Sequence, residues 1–164
     1  MDILTPFRQY ETEVPADWID INEHMNSTCY TLAIYDAHRM FTAYLGLGDA
    51  YVNERNLGKM VVESHLVYER EVLRGDRIAV DSRLLGVDRK RFHFYHELLN
   101  LSGGFRAAVL EQIDVHVDLS TRRSAPVPED MRRHLARIVH AHRTLGPPEK
   151  TGRHIAMLET ESAE

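Results

Sequence analysis

Asp20, Asn22 and His24 stand at alternate positions in the run Asp20-Ile21-Asn22-Glu23-His24-Met25-Asn26. A carboxylate, an amide and an imidazole are thereby gathered in one short polar stretch. Asn26-Ser27-Thr28 follows with the residue types that cap a helix. The three side chains can therefore converge on a helix N-terminus, where unpaired N–H groups and the positive end of the dipole favour a developing oxyanion. Tetrahedral acyl transfer needs such a setting. The same residues serve equally well as loop and cap, with His24 an ordinary half-exposed histidine. Two further carboxylates stand apart in the chain: Glu71 closes Tyr68-Glu69-Arg70-Glu71, and Glu63 ends the apolar run Met60-Val61-Val62.

The elements that must position these groups are legible from periodicity. Tyr10 to Val14 is a short extended stretch stopped by Pro15. Ile34, Ala37, Phe41, Tyr44 and Leu45 recur at helical spacing until Gly46 and Gly48, which predicts one helix of about five turns. The period then becomes strand-like over Lys59 to Val62, Leu66 to Val72 and Arg77 to Leu85, with Arg74-Gly75-Asp76 as a turn. Phe92, Phe94, His96 and Leu98 alternate with polar residues, and Ala107 to Val117 follows a Ser-Gly-Gly break, so these two strands read as a hairpin. Met131, Leu135, Ile138 and Val139 mark the apolar face of a second helix. A long helix followed by an antiparallel sheet buries both apolar faces best if the sheet wraps the helix, an α+β domain.

Composition narrows the chemistry. The chain has 164 residues, 43% of them hydrophobic, which suits one domain, here residues 1–145 with a loosely ordered tail over 146–164. The net charge of -5 lacks the basic excess expected of nucleic-acid binding. No run is long and apolar enough to span a bilayer and no leader-like segment opens the chain, so a cytoplasmic protein is expected. Cys29 is the single cysteine, which excludes an intrachain disulfide and a cysteine-built zinc site, and the ten histidines match no zinc signature. No metal, nucleotide or other cofactor is expected.

The loop from Asp20 to Asn26 resembles the Asp-x-Asn-x-His-Val-Asn motif of plant acyl-ACP thioesterases and, more loosely, the corresponding loop of the 4-hydroxybenzoyl-CoA thioesterase family. Both are hotdog folds. Tyr68-Glu69-Arg70-Glu71 is similar to the Tyr-Arg-Arg-Glu segment of the plant enzymes, and Arg74-Gly75-Asp76 falls where hotdog thioesterases have a Gly-Asp turn. The resemblance covers residues 8–120. It implies that Asn22 and His24 are catalytic, that Glu71 is the acid or base, and that Asp20 orients or stabilises the histidine. Two departures bear on mechanism. In the 4-hydroxybenzoyl-CoA enzymes an aspartate takes the place of Asn22, so a covalent aspartyl route at that position is excluded here, and Glu23 stands where many relatives have glycine. In this picture the oxyanion lies against N–H groups near Met25 and Asn26.

Over its whole length the chain is similar to the small thioesterases of bacterial carnitine catabolism, which also occur fused behind carnitine dehydrogenase. The matching stretches are Gly58 to Tyr68, Arg91 to His96 and Gly152 to Ile155. That resemblance implies hydrolysis of betainyl-CoA to glycine betaine, with a trimethylammonium group held by aromatic faces and a carboxylate. Trp18, Tyr30, Tyr35, Tyr68 and Glu63 are the candidates. A short or medium acyl chain is the alternative substrate, and a hotdog dehydratase or hydratase, or a non-catalytic acyl-CoA binding domain, are the alternative functions. Open sheet edges predict a homodimer with the site at its interface.

Overall fold

The structure, a computed structural model, describes residues 3–153 and 155. Strand β1 (Phe7–Glu13) leads through the polar loop into α1 (Ser27–Tyr44) and the short α2 (Asp49–Arg55). Then come β2 (Leu57–Tyr68), β3 (Arg77–Val87), β4 (Arg91–Asn100), β5 (Phe105–Asp118), the two-residue β6 (Arg123–Ser124) and α3 (Glu129–His142). Among the described residues the strands form one antiparallel sheet in the order β1-β3-β4-β5-β2, with β6 on β5. The expected α+β class, an antiparallel sheet curled against a long helix, is what forms. No helix among these residues is long and apolar enough to cross a membrane.

α1 starts where its cap chemistry places it, with Asn26 Oδ1 accepting the Thr28 N–H at 2.9 Å. Tyr30, Ala33, Ile34, Ala37, His38 and Phe41 recur at helical spacing and are buried on the sheet, while Leu32, Tyr35 and Met40 stay exposed. Two elements differ from the sequence reading. α2 is unforeseen, because Gly46 and Gly48 read as a stop; Gly48 is instead a close approach, where a Cβ would sit 2.9 Å from Ala43 Cα. β2 is one strand, not two, because a bulge between Val61 and Glu63 carries the ladder through the polar stretch. It ends at Tyr68, so Glu69 to Val72 lies outside the sheet.

Apolar side chains form two clusters. One joins Met25, Tyr30, Ile34, Val72 and Leu98 beneath the polar loop, and the other joins Phe7, Phe41, Phe94, Leu135 and Ile138 beneath α3. A belt of polar side chains runs across the sheet. Ser82 on β3 contacts His96 Nδ1 at 2.8 Å, His96 Nε2 contacts His38 Nδ1 at 3.2 Å, and His38 Nε2 lies 3.3 Å from Asp114 on β5. Lys59 on β2 reaches both Asp114, at 2.9 Å, and His38, at 2.7 Å, and Gln112 donates to Asp114 at 2.7 Å. Burial alone would raise the Asp114 carboxyl, but His38 and Lys59 hold it down at about 2.

Beyond α3 the chain turns over the sheet. Arg83 donates to the carbonyls of His142 and Gly146, Tyr95 donates to the Glu149 carbonyl, and the Gly152 N–H donates to Glu111 at 2.6 Å. The contacts of Gly146, Glu149 and Gly152 belong to the segment expected to be a loosely ordered tail; residues 154 and 156–164 of it lie outside the described part.

Four buried histidines carry neutral-form hydrogen bonding. His116 donates through Nδ1 to the Ala125 carbonyl and accepts the Tyr51 hydroxyl at Nε2. His142 accepts the Leu84 N–H at Nδ1 and donates to the Leu4 carbonyl. Burial pushes His38, His96, His116 and His142 below the usual imidazole range. The unfolded chain therefore binds protons near pH 6.5 that the folded chain refuses, and stability falls as pH drops through that value, by at most about 1.4 kcal/mol per pH unit for each histidine. Asp114 adds its own loss only below about pH 4. Thermal melts should show a falling midpoint from pH 7.5 to 5.5; a flat midpoint over that range would contradict this account.

Candidate active site

The loop before α1 is closed by its own hydrogen bonds. The Asp20 N–H donates to the His24 carbonyl and the Glu23 N–H to the Asp20 carbonyl, both at 3.0 Å. Asp20 Oδ1 accepts the Asn22 N–H at 2.8 Å, and His24 Nδ1 stands 3.5 Å from that same oxygen. The turn requires Glu23 at φ 64°, the left-handed region that glycine favours. Its departure from glycine, noted in the sequence, is thus a backbone matter.

The second half of the site is the turn after β2. The Met25 N–H donates to the Val72 carbonyl at 2.8 Å, which joins the two halves through main chain. Tyr68 donates to the Ser27 carbonyl at 3.2 Å and Tyr30 to the Arg70 carbonyl at 3.3 Å. The two tyrosine rings meet edge to face with centroids 5.2 Å apart. Burial raises the Tyr30 hydroxyl above the usual phenol range, so it stays protonated and donating. Between these elements lies a pocket of about 420 Å³ lined by Asp20, His24, Met25, Ser27, Tyr30, Tyr68, Glu69, Arg70 and Glu71.

The pocket unites Asp20, His24, Tyr30, Tyr68 and Glu71 from the sequence-derived set. Other members fall elsewhere. Asn22 is exposed on the loop and does not line the pocket; its backbone, not its amide, serves Asp20. The Met25 and Asn26 N–H groups expected to face an oxyanion are instead taken by the Val72 and Trp18 carbonyls, at 2.8 Å each. Among the described residues the Ser27 N–H, at the first position of α1, donates to no group. Trp18 packs on the apolar cluster around Tyr30. Glu63 lies in a separate hollow with His65, Glu111 and Gly152, and Tyr35 is on the exposed side of α1.

The carboxylates are distinguished by their partners. Glu69 is paired with Arg106 and Lys150, and these hold it at about 2 despite partial burial. Glu71 has no hydrogen-bond partner among the described residues and is exposed at the pocket. Asp20 faces His24. A carboxylate without a partner, an imidazole beside a second carboxylate, and the first residue of α1 therefore line one pocket, residue types that attack on an activated carbonyl can use. No group of three or more His, Cys, Asp or Glu side chains among the described residues is arranged to hold a metal. Sequence reasoning missed Ser27, Arg106 and Lys150. Only the position of Ser27 next to the cap signalled it; the other two are brought in by the tertiary fold.

A model of the thioesterase-like superfamily matches residues 14–135. The chain is 35% identical to the betainyl-CoA thioesterase of Pseudomonas aeruginosa, over 90% of this chain and 93% of that one. It is 31% identical, over 94% of its length, to the L-carnitine dehydrogenase/betainyl-CoA thioesterase of Rhizobium meliloti, of which it spans 31%. Among solved structures, a candidate thioesterase from Pseudomonas putida KT2440 superposes with TM-score 0.79 at 31% identity, covering 95% of this chain and 99% of that one. A Staphylococcus aureus protein in complex with CoA superposes with TM-score 0.83 at 24% identity, covering 96% and 100%, and shares the fold.

The loop geometry makes Glu23 a test of the site. Glycine relieves a left-handed strain of about 1–2 kcal/mol at a cost of about 0.5–1 kcal/mol in chain entropy, so Glu23→Gly should leave stability level or slightly higher. Glu23→Val should lower stability and disturb the turn that holds Asp20 and His24. Chemical denaturation of both variants would check this; equal stabilities would remove the strain argument.

Proposed function

The chain belongs to the thioesterase-like superfamily, and on that footing we propose that it hydrolyses betainyl-CoA to glycine betaine and CoA in the pocket between Asp20 and Glu71. Its family and its 35% identity to a thioesterase over nearly the whole chain make it an acyl-CoA thioesterase. The choice of acyl group is carried by one observation. Tyr30 and Tyr68 present an aromatic corner beside the carboxylates of Asp20 and Glu71. Quaternary ammonium is attracted to aromatic faces by about 0.5–2 kcal/mol, more as water is excluded, and a nearby anion adds to it. A plain alkyl chain would gain nothing from the carboxylates. The Arg70 guanidinium, which would repel a cationic acyl group, lies over the Phe105 ring at 5.1 Å.

In the proposed reaction, Glu71 takes a proton from water as the water attacks the thioester carbonyl. His24, held by Asp20, assists by proton transfer to the departing thiolate. The Ser27 N–H, reinforced by the dipole of α1, receives the developing oxyanion, a contribution of about 3 kcal/mol for one such donor. Attack by Glu71 itself through a mixed anhydride uses the same geometry. In this reading the enzyme acts in the cytoplasm.

The acyl-CoA thioesterase is also proposed to act as a homodimer. Among the described residues β2 pairs only with β5, and this edge strand carries Met60, Val61 and Val62, the last two more than half exposed at 55% and 59%. Tyr35 and Met40 on α1, both exposed, share a hollow with Gly58 and Lys59 of the same strand. A twelve-residue strand edge left open beside the apolar run Met60 to Val62 invites other chains. Pairing β2 with β2 of a second copy closes it by two-fold symmetry.

A free-thiol assay over betainyl-, acetyl-, butyryl- and octanoyl-CoA should give the highest kcat/KM for betainyl-CoA. Loss of about 10²-fold or more in kcat is expected for Glu71→Gln and Asp20→Ala. Faster turnover of octanoyl-CoA would overturn the acyl assignment, and full activity in both variants would overturn the site. Light scattering should give the mass of a dimer, and Val61→Lys with Val62→Lys should release monomer; a monomeric wild type would refute the edge pairing.

A further inference from the structure

Glu69 lies within the pocket lining, yet its carboxylate is fully engaged elsewhere. Arg106 on β5 grips it with two bonds, Nε to Oε2 at 2.8 Å and Nη2 to Oε1 at 3.0 Å. The same guanidinium donates to Glu97 on β4 and to Glu149, both at 2.7 Å. Lys150 pairs with Glu69 at Oε1, the oxygen that Arg106 Nη2 also reaches. Glu149 and Lys150 belong to the segment that crosses the sheet after α3, so the C-terminal part of the chain reaches the turn that follows β2.

That turn is anchored at nearly every residue. The Glu69 and Arg70 N–H groups both donate to the Ala107 carbonyl, at 2.8 and 3.2 Å. The Arg70 guanidinium covers Phe105 and its carbonyl accepts from Tyr30. Val72 is wholly buried, with its carbonyl on the Met25 N–H. Among the side chains of Glu69 to Val72, that of Glu71 alone has no anchor among the described residues. Its direction is therefore set by the anchors on either side. The strongest of them is the two-bond Arg106–Glu69 pair, with both side chains largely shielded from water, a geometry in which such pairs specify position as well as hold charge.

We propose that Arg106 and Lys150 are positioning residues for the thioesterase site: by clamping Glu69 they fix the turn that aims Tyr68 and Glu71 into the pocket. The C-terminal segment thus takes part in the rate without touching the substrate. This rests on the reading of Glu71 as the acting group. Arg106 is suited to the task because only a planar fork can hold one carboxylate with two bonds and still reach Glu97 and Glu149.

The test is steady-state kinetics with betainyl-CoA on the full chain. Displacement of an acting group costs rate more than binding, and a misplacement near 1 Å can cost about 10²-fold. Arg106→Gln should therefore lower kcat by about tenfold to a hundredfold with a smaller change in KM. Arg106→Lys should recover part of the loss. Lys150→Ala removes only the outer half of the clamp from a half-exposed position, and should lower kcat in the same direction by a smaller factor; it decides the matter if Arg106→Gln does not fold. Wild-type kcat in the folded clamp variants, with activity lost in Glu71→Gln, overturns the clamp and leaves the site reading standing. A lowered melting temperature with unchanged kcat does the same. Wild-type kcat in Glu71→Gln overturns the site reading, and the clamp with it.

Discussion

Asp114 is fully buried beneath α1, and an uncompensated carboxylate there would cost more than any single apolar contact returns. Its partners come from three directions: Lys59 from the edge strand β2, His38 from α1, and Gln112 from β5 itself. His96 and Ser82 continue the contacts to β4 and β3. Shifting any of these strands by one residue would turn its polar member to the opposite face and leave the belt unsatisfied. α1 cannot rotate on the sheet without withdrawing His38. The charge of Asp114 thus fixes helix and strands in one register, and the two apolar clusters on either side fill the space that this register leaves. The cluster on the side of Met25, Tyr30 and Val72 carries the site.

The parts of the fold set by local chemistry were legible in the sequence. α1 follows from the Asn26 cap and the spacing of Ile34, Ala37 and Phe41, and the β4–β5 hairpin follows from alternation around its glycines. What eluded sequence reasoning depended on partners distant in the chain. β2 reads as two pieces because Glu63, Ser64 and His65 interrupt the apolar pattern, while the ladder with β5 holds them in one strand. Gly48 reads as a breaker because its packing against Ala43 is invisible in a linear reading.

The site divides in the same way. Asp20, His24, Tyr68 and Glu71 have residue types and order that carry a recognisable motif, and they meet in the pocket. Asn22 shares the motif but is placed by the turn at Glu23, whose left-handed backbone turns the loop so that the Asn22 N–H, rather than its amide, addresses Asp20. The donor proposed for the oxyanion stands one or two residues beyond Met25 and Asn26, at Ser27, for an equally physical reason. A loop that packs two motifs together must satisfy its own N–H groups, and Val72 and Trp18 supply the carbonyls that do so.

Three carboxylates in one pocket would repel one another if they were alike. Their partners make them unlike. Glu69 is neutralised by Arg106 and Lys150, Asp20 is engaged by the Asn22 N–H and His24, and Glu71 is left open to the pocket. The open one sits on a turn rather than on a strand, so its accuracy depends on the bonds that tie that turn to the rest of the molecule. Three of these join the two halves of the site directly: Met25 to Val72, Tyr68 to Ser27 and Tyr30 to Arg70. Each links the loop and helix start that hold Asp20, His24 and the Ser27 N–H to the strand end and turn that hold Glu71. A displacement of either half is therefore transmitted to the other, and Glu71 and the Ser27 N–H, the proposed base and oxyanion donor, keep their separation. Attack and charge stabilisation need that separation to be held together, because a water aimed correctly at a carbonyl gains nothing if the oxygen of that carbonyl has left its donor.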